Sequence, residues 1–145
     1  MNPPVRRQDL LGAWDLVSLS AVSDAGQVYE PYGTAPAGLL TYTDDGSMSA
    51  MLMRRDRRPF ASGDLAGGTT SEVEEAFAGF DAYCGTFTLD GGAVTHHVRA
   101  ARFPNWVGSD QVRQVTLRDD ELWLDAPIYA MGTNWVVRAA WKRRR

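Results

Sequence analysis

The chain has 145 residues, 44% of them hydrophobic and 23% charged, with 15 Lys and Arg against 18 Asp and Glu for a formal net charge of −3. Such a composition fits one globular domain over residues 1–145, long enough to bury a core, and it lacks the basic field that favours nucleic acid. The single cysteine, Cys84, excludes an internal disulfide and a Cys-rich zinc site. No apolar run approaches the roughly 18 residues of a membrane span. The first residues, Met1 to Arg7, read without the apolar stretch of a signal peptide, so a cytoplasmic location with no membrane partner is expected.

Residues 1–9 form a polar, Pro-bearing lead-in, and Asp9-Leu10-Leu11 suits a short helical turn. Gly12 to Ser20 then alternates, with Trp14, Leu16 and Ser18 on one face and Asp15, Val17 and Leu19 on the other. Ser23-Asp24-Ala25-Gly26 is turn chemistry, and Gln27 to Tyr32 is a short extended piece. Gly38 to Thr43 and Ser47 to Met53 read as a hairpin around Asp44-Asp45-Gly46. Met48, Met51 and Met53 crowd its return strand, and Met51 is expected to contact a ligand, since methionine suits walls that accept varied apolar surfaces.

Residues 54–70 make a long polar, Gly-rich loop that includes the basic cluster Arg54 to Arg58, expected to be solvated like the tail Lys142 to Arg145. The spacing predicts a helix over 72–80. Ser71 and Glu74 match a capping box, and Val73, Ala76, Phe77 and Phe80 share one apolar face. Strands resume at Tyr83, with Tyr83, Gly85, Phe87 and Leu89 on one face and a turn at Asp90-Gly91-Gly92. Two β-patterned runs within Val94 to Leu117 flank Pro104-Asn105-Trp106-Val107-Gly108. Asp119-Asp120 turns into Glu121 to Asp125, a loop spans Ala126 to Thr133, and Asn134 to Lys142 is the last strand. Eight or nine short strands joined mainly by tight turns, with one short helix, specify an all-β antiparallel sheet that curls into a barrel.

Both histidines lie in the Val94 to Leu117 stretch. Alternation places His96 inward with Val98 and Ala100, and His97 outward with Arg99 and Ala101. Arg113 shares an inward face with Gln111, Val115 and Leu117. An inward arginine is costly without a pair, water or a ligand, and its fork suits a carboxylate, enolate or phenolate oxygen. An inward histidine can donate, accept or shuttle a proton. Tyr42 and Tyr83 fall on faces that bring their hydroxyls toward the same space, and Trp106 is placed to lean over the mouth.

The order Gly12-Ala13-Trp14, Pro31-Tyr32-Gly33, Gly38 to Tyr42, Asp45 to Ala50, Tyr83 to Phe87, His96-His97-Val98, Pro104 to Gly108 and Gln111-Val112-Arg113 resembles the bacterial and fungal lipocalin-like domain family, from about residue 10 to 143. The resemblance implies a calycin-type barrel with an internal cavity in a small intracellular protein. Gly12-Ala13-Trp14 is similar to the G-x-W of lipocalins. There the Trp closes the barrel floor beneath a basic residue of the last strand, here Arg138, Lys142 or Arg143. Some barrels of this kind act as cyclases or isomerases in natural-product pathways.

The expected function is binding of a small, largely apolar organic molecule, such as a natural-product intermediate, by Trp14, Met51, Tyr83, Phe87, Trp106 and Trp135. The alternative is a cofactor-free cyclase or isomerase of a polyketide-like or polyene-like substrate, using His96, Arg113 and Tyr42. A third is a structural module, monomer or homodimer, pairing through a strand face that carries Trp123. No cofactor and no metal are expected, because adjacent histidines on a strand face opposite ways and no H-x-H or H-E-x-x-H spacing occurs.

Overall fold

A computed structural model describes residues 3–145; Met1 and Asn2 of the expected lead-in lie outside the described residues. Among the described residues the elements are a helical turn α1 (Arg7–Leu10), β1 (Gly12–Ser23), β2 (Val28–Tyr29), β3 (Ala37–Tyr42), β4 (Ser47–Met53), α2 (Thr70–Ala78), β5 (Phe80–Asp90), β6 (Ala93–Ala101), β7 (Asp110–Arg118), β8 (Glu121–Ala130) and β9 (Thr133–Arg143). All pairings are antiparallel. The strands run β1-β3-β4-β5-β6-β7-β8-β9, and β9 pairs back onto β1, with β2 as an extra short strand along β1. The expected all-β barrel is therefore closed, with eight strands in the wall and a ninth outside it.

The two ends of the barrel differ. One carries α1, the turns after β3, β5 and β7, and the C-terminal end of β9. Trp14 and Leu10 are fully buried there, and the Trp14 indole N–H donates to the Leu10 carbonyl at 2.9 Å. The Arg143 guanidinium lies 4.1 Å from the Trp14 ring centre and donates to the carbonyls of Leu11 at 2.8 Å and Asp9 at 2.6 Å. Arg143 is thus the basic residue that crosses Trp14, whereas Arg138 pairs with Asp125 on the outer wall at 2.7 Å. The other end carries the long loop, α2 and the β6–β7 connection, and it stays open.

Two bulges reset the inward face. Between β1 and β9 the register shifts between Leu16 and Ser18, so Val17 is half exposed and Leu19 and Ala21 turn inward. This corrects the expected grouping of Leu19 with Val17 on the outer face. Between β5 and β6 the shift falls at Cys84 and Gly85, where Gly85 pairs Val98 and Cys84 pairs Ala100. Arg99 and Ala100 are both exposed and Ala101 is half-buried, which reverses the expected places of Ala100 and Ala101. Gly85 permits this bulge, since a Cβ there would lie 1.9 Å from the His97 carbonyl oxygen and 3.1 Å from the Arg99 nitrogen.

The helix starts and ends two residues earlier than its spacing predicts. Thr69, not Ser71, is the N-cap. Its hydroxyl accepts from the Glu72 N–H at 3.2 Å, and the Glu72 carboxylate accepts from the Thr69 N–H at 2.9 Å. The same carboxylate accepts from the Ala61 N–H at 2.9 Å, tying the long loop to the cap, an advantage the Ser71 box lacks. Phe80 opens β5 instead of closing the helix, and Val73 and Phe77 remain about half exposed. The segment 126–133 is not a loop. β8 runs to Ala130 and β9 starts at Thr133, with Met131 and Gly132 forming the turn.

Replacing Gly85 by Ala is expected to lower stability by about 1–3 kcal/mol, because the close backbone approach at the bulge must open. Gly63→Ala, where nothing lies within 4 Å of an added Cβ, should change it by no more than about 0.5 kcal/mol. Urea unfolding of both variants measures the contrast; equal midpoints would show that the bulge yields freely.

Candidate functional site

Inside the open half of the barrel lies a cavity of about 850 Å³, within the range of small-molecule sites. Small inward residues on four strands make the room: Ala21 on β1, Ala50 on β4, Ala126 on β8 and Ala139 on β9 all line it. Tyr83, His96, Arg113 and Trp141 supply its polar and aromatic groups from β5, β6, β7 and β9, and Trp106 and Trp135 stand nearer the mouth. Trp106 packs edge-on against Tyr83, with ring centres 5.5 Å apart, and the Arg113 guanidinium sits 5.8 Å from the Trp106 ring centre. Trp135 is pinned by its indole N–H, which donates to the Ala130 carbonyl at 2.9 Å.

His96 is fully buried between two tyrosines. The Tyr42 hydroxyl lies 2.6 Å from Nε2 and the Tyr83 hydroxyl 2.8 Å from Nδ1. Burial, reinforced by the nearby Arg113 charge, pushes the imidazole pKa down to about 3. Burial likewise lifts Tyr42 well above the usual phenol range, and it raises Tyr83 against the opposing charge of Arg113. The three-residue chain is therefore neutral at every physiological pH.

Arg113 is 9% exposed. Among the described residues it donates a long hydrogen bond to the Val112 carbonyl at 3.3 Å, and it lies near enough to the Tyr83 hydroxyl to act on that phenol. Among the described residues no carboxylate lies within ion-pair distance of it; Asp81, the acidic residue of the cavity wall, pairs with Arg102 at 3.4 Å. Another donor, the Trp141 indole N–H, is buried without an acceptor. The lining is thus largely apolar around a cation that has no carboxylate partner among the described residues.

His96 and Arg113 stand where the alternation places them, and His97 is on the outer face, bonded to Asp110 at 2.8 Å and Thr88 at 3.0 Å. Three expected ligand contacts are corrected. Met51 is 43% exposed on the outer face, because Met48, Ala50 and Leu52 take the inward positions of β4. Trp14 and Phe87 point inward but at the closed end. There Phe87 packs against Tyr42, with ring centres 4.6 Å apart, and under Arg7. Tyr42, expected as a catalytic group, does not reach the cavity wall and meets it through His96.

Several wall residues escape the sequence patterns. Tyr32 and the Arg102–Phe77 contact close one side of the mouth. The Arg102 guanidinium stacks 4.0 Å from the Phe77 ring centre and donates to the Phe77 carbonyl at 2.6 Å. Pro127, Ile128, Tyr129 and Met131 line the opposite side, on the extended β8–β9 hairpin. A second cleft of about 500 Å³ separates α2 from the Arg54 to Arg58 segment, but its charges satisfy one another: Arg54 pairs with Asp56 and Arg58 with Glu75, each at 3.0 Å. Among the described residues no cluster of three or more His, Cys, Asp or Glu side chains is arranged to hold a metal ion, and no helix is long and apolar enough to cross a membrane.

A closed up-and-down barrel, sealed at one end and hollow toward the other, places the protein among the barrels that enclose one small cavity. The profile of the lipocalin-like domain family matches residues 11–144, and the chain belongs to that family. Over 106 residues it is 29% identical to the 4'-hydroxy-3'-methoxypropiophenone carrier protein ppsC of Aspergillus oryzae, an alignment covering 66% of this chain and 96% of that protein.

The depressed His96 pKa has a definite sign in stability. The unfolded histidine, with a pKa near 6.5, binds a proton that the folded one refuses down to about pH 3, so stability falls as pH drops through that window. Carboxylates held below their ordinary range contribute mainly below about pH 5. Between pH 6.5 and 5 the loss should be about 2 kcal/mol. His96→Gln should flatten that slope in urea unfolding; a variant that retains the wild-type slope would place the titrating group elsewhere.

Proposed function

We propose that this protein binds a small, largely apolar organic molecule in its barrel cavity and holds a polar oxygen of that molecule at Arg113. The observation that carries this is the buried, unpaired Arg113 in an apolar cavity of about 850 Å³. A desolvated guanidinium without a partner weakens a fold, and a ligand oxygen supplies the charge-assisted hydrogen bonds it lacks. The name of the Aspergillus oryzae relative gives the ligand a model: an aryl ketone with a phenolic hydroxyl, apolar in body and acidic at one oxygen.

Carriage is favoured over turnover. Acid–base chemistry near neutral pH needs a group at the cavity that titrates there. His96, bonded on both ring nitrogens and held near pH 3, does not meet that need. A role as a cyclase or isomerase would therefore rest on positioning by the walls and on the Arg113 charge.

Titration with 4'-hydroxy-3'-methoxypropiophenone, followed by the fluorescence of the wall tryptophans, should saturate at one molecule per chain. Arg113→Met should weaken binding by at least about tenfold. The same variant should leave the ligand-free barrel equally or more stable, since an unbranched apolar side chain replaces an unpaired buried charge. Loss of stability with unchanged affinity would instead make Arg113 a brace of the wall and would sink the proposal.

A further inference from the structure

Tyr42 decides the direction of the hydrogen bonds around His96. Its side chain is buried outside the cavity wall, and among the described residues its hydroxyl has one partner, His96 Nε2 at 2.6 Å. A neutral imidazole carries one N–H donor and one acceptor nitrogen. If Nε2 held the proton, the Tyr42 O–H would have no acceptor, and a buried donor without a partner is among the costlier defects of a folded chain. The Tyr42 O–H therefore donates to Nε2, and the imidazole proton sits on Nδ1. From there Nδ1–H donates to the Tyr83 hydroxyl oxygen, 2.8 Å away.

The consequence falls on Tyr83. Its oxygen accepts from His96, so its own O–H cannot be directed back at that ring. Tyr83 lines the cavity, as Arg113 does, and among the described residues its hydroxyl has no partner but His96, which leaves that O–H free to point into the cavity. We propose that Tyr42 and His96 form a one-way relay that makes Tyr83 a second donor beside Arg113, and that the two together hold a weakly acidic oxygen, a phenol or an enol, as its anion. This selection rests on the cavity being a ligand site.

Two donors converging on one oxygen, one of them a cation in a low-dielectric pocket, favour a negative charge there. Of the charged and titratable groups around the position, Tyr29 comes from β2, Tyr32 from the segment after it, Tyr42 from β3, Asp81 and Tyr83 from β5, His96 and the outward His97 from β6, Arg102 from the segment after β6, Arg113 from β7 and Tyr129 from β8. Asp81 and Arg102 offset each other, which leaves Arg113 as the uncompensated charge. On binding, the ligand O–H bond breaks, its electron pair stays on oxygen, and the proton leaves to solvent through the open mouth. His96 cannot take that proton, because both its nitrogens are engaged. Tyr42 and His96 are positioning residues, and Tyr83 and Arg113 touch the ligand.

The test uses the full chain, with 4-hydroxyacetophenone and 4-methylacetophenone as probes. In ¹⁵N NMR of the ligand-free protein, His96 should show a protonated Nδ1 and a bare Nε2; the opposite tautomer overturns the relay. Bound 4-hydroxyacetophenone should show the phenolate absorbance band below the pH at which the free phenol ionises. A neutral-phenol band with retained binding overturns anion selection while leaving the cavity a ligand site. Tyr42→Phe removes only an oxygen outside the cavity. It should weaken the hydroxy probe by about tenfold, the value of one hydrogen bond to a charged group, and leave the methyl probe unchanged. Equal loss for both probes means Tyr42 acts through packing and refutes the relay. If neither probe binds the wild-type chain, the binding proposal itself fails and takes this one with it.

Discussion

Everything in this structure depends on β9 pairing back onto β1. The ladder runs from Trp14 opposite Arg143 to Ser23 opposite Trp135, so the last strand seals the barrel along nearly the whole first one. Closure leaves no open edge in the wall, and it sets the width of an eight-stranded interior, which holds either packed side chains or one small ligand. Here the interior is packed at one height and hollow at the other. Trp14, Tyr42, Phe87 and Leu10 fill the closed end. Alanines at inward positions of β1, β4, β8 and β9 empty the other. The same pairing delivers Arg143 to its place across Trp14, so the act of closing the wall also caps the floor.

The strands, their order and most of their faces were legible from period-two alternation. His96, His97 and Arg113 stand on the faces their neighbours imply, because Val98, Val115 and Leu117 have to be sheltered from water. Alternation fails where a bulge adds a residue. The Val17 bulge turns Leu19 inward, and the bulge at Arg99 swaps Ala100 with Ala101. A bulge is set by the partner strand, here by the missing Cβ of Gly85 against the His97 carbonyl, and no local pattern in β6 records it. Alternation also gives a face and not a height. Phe87 and Tyr83 share a face of β5, yet Tyr83 lines the cavity and Phe87 lies in the packed floor. Met51 misled for another reason: its apolar side chain suggested an inward place, but its position in the strand is odd relative to Met48, Ala50 and Leu52, and position wins. The helix cap was misplaced because two Ser/Thr-x-x-Glu boxes overlap, and a tertiary bond from Ala61 to Glu72 chooses between them.

The site shows how a barrel can carry polar groups at a cost the fold tolerates. His96 is buried and neutral, and two tyrosine hydroxyls satisfy both its ring nitrogens. Arg113 is different. It lacks a carboxylate among the described residues, and its hydrogen bond to the Val112 carbonyl is long. A core optimised for stability alone would hold an apolar side chain there.

That contrast separates the parts of the cavity by purpose. The floor, the alanine-lined walls and the Tyr42–His96 pair are each satisfied within the protein, so they define the shape of the cavity. Arg113, without a carboxylate among the described residues and with a long hydrogen bond to Val112, is not satisfied within it. Under the proposed function, that deficit selects an apolar body that fits between Trp106, Trp135 and the alanines and ends in an oxygen that accepts hydrogen bonds. Neutrality of the His96 chain sharpens that selection. His96, held at about 3, is no base near neutral pH, so in the proposed site the charge on Arg113 is balanced by an oxygen that arrives negative or sheds its proton to water. The feature that costs the barrel stability is therefore the one on which the proposed selectivity rests.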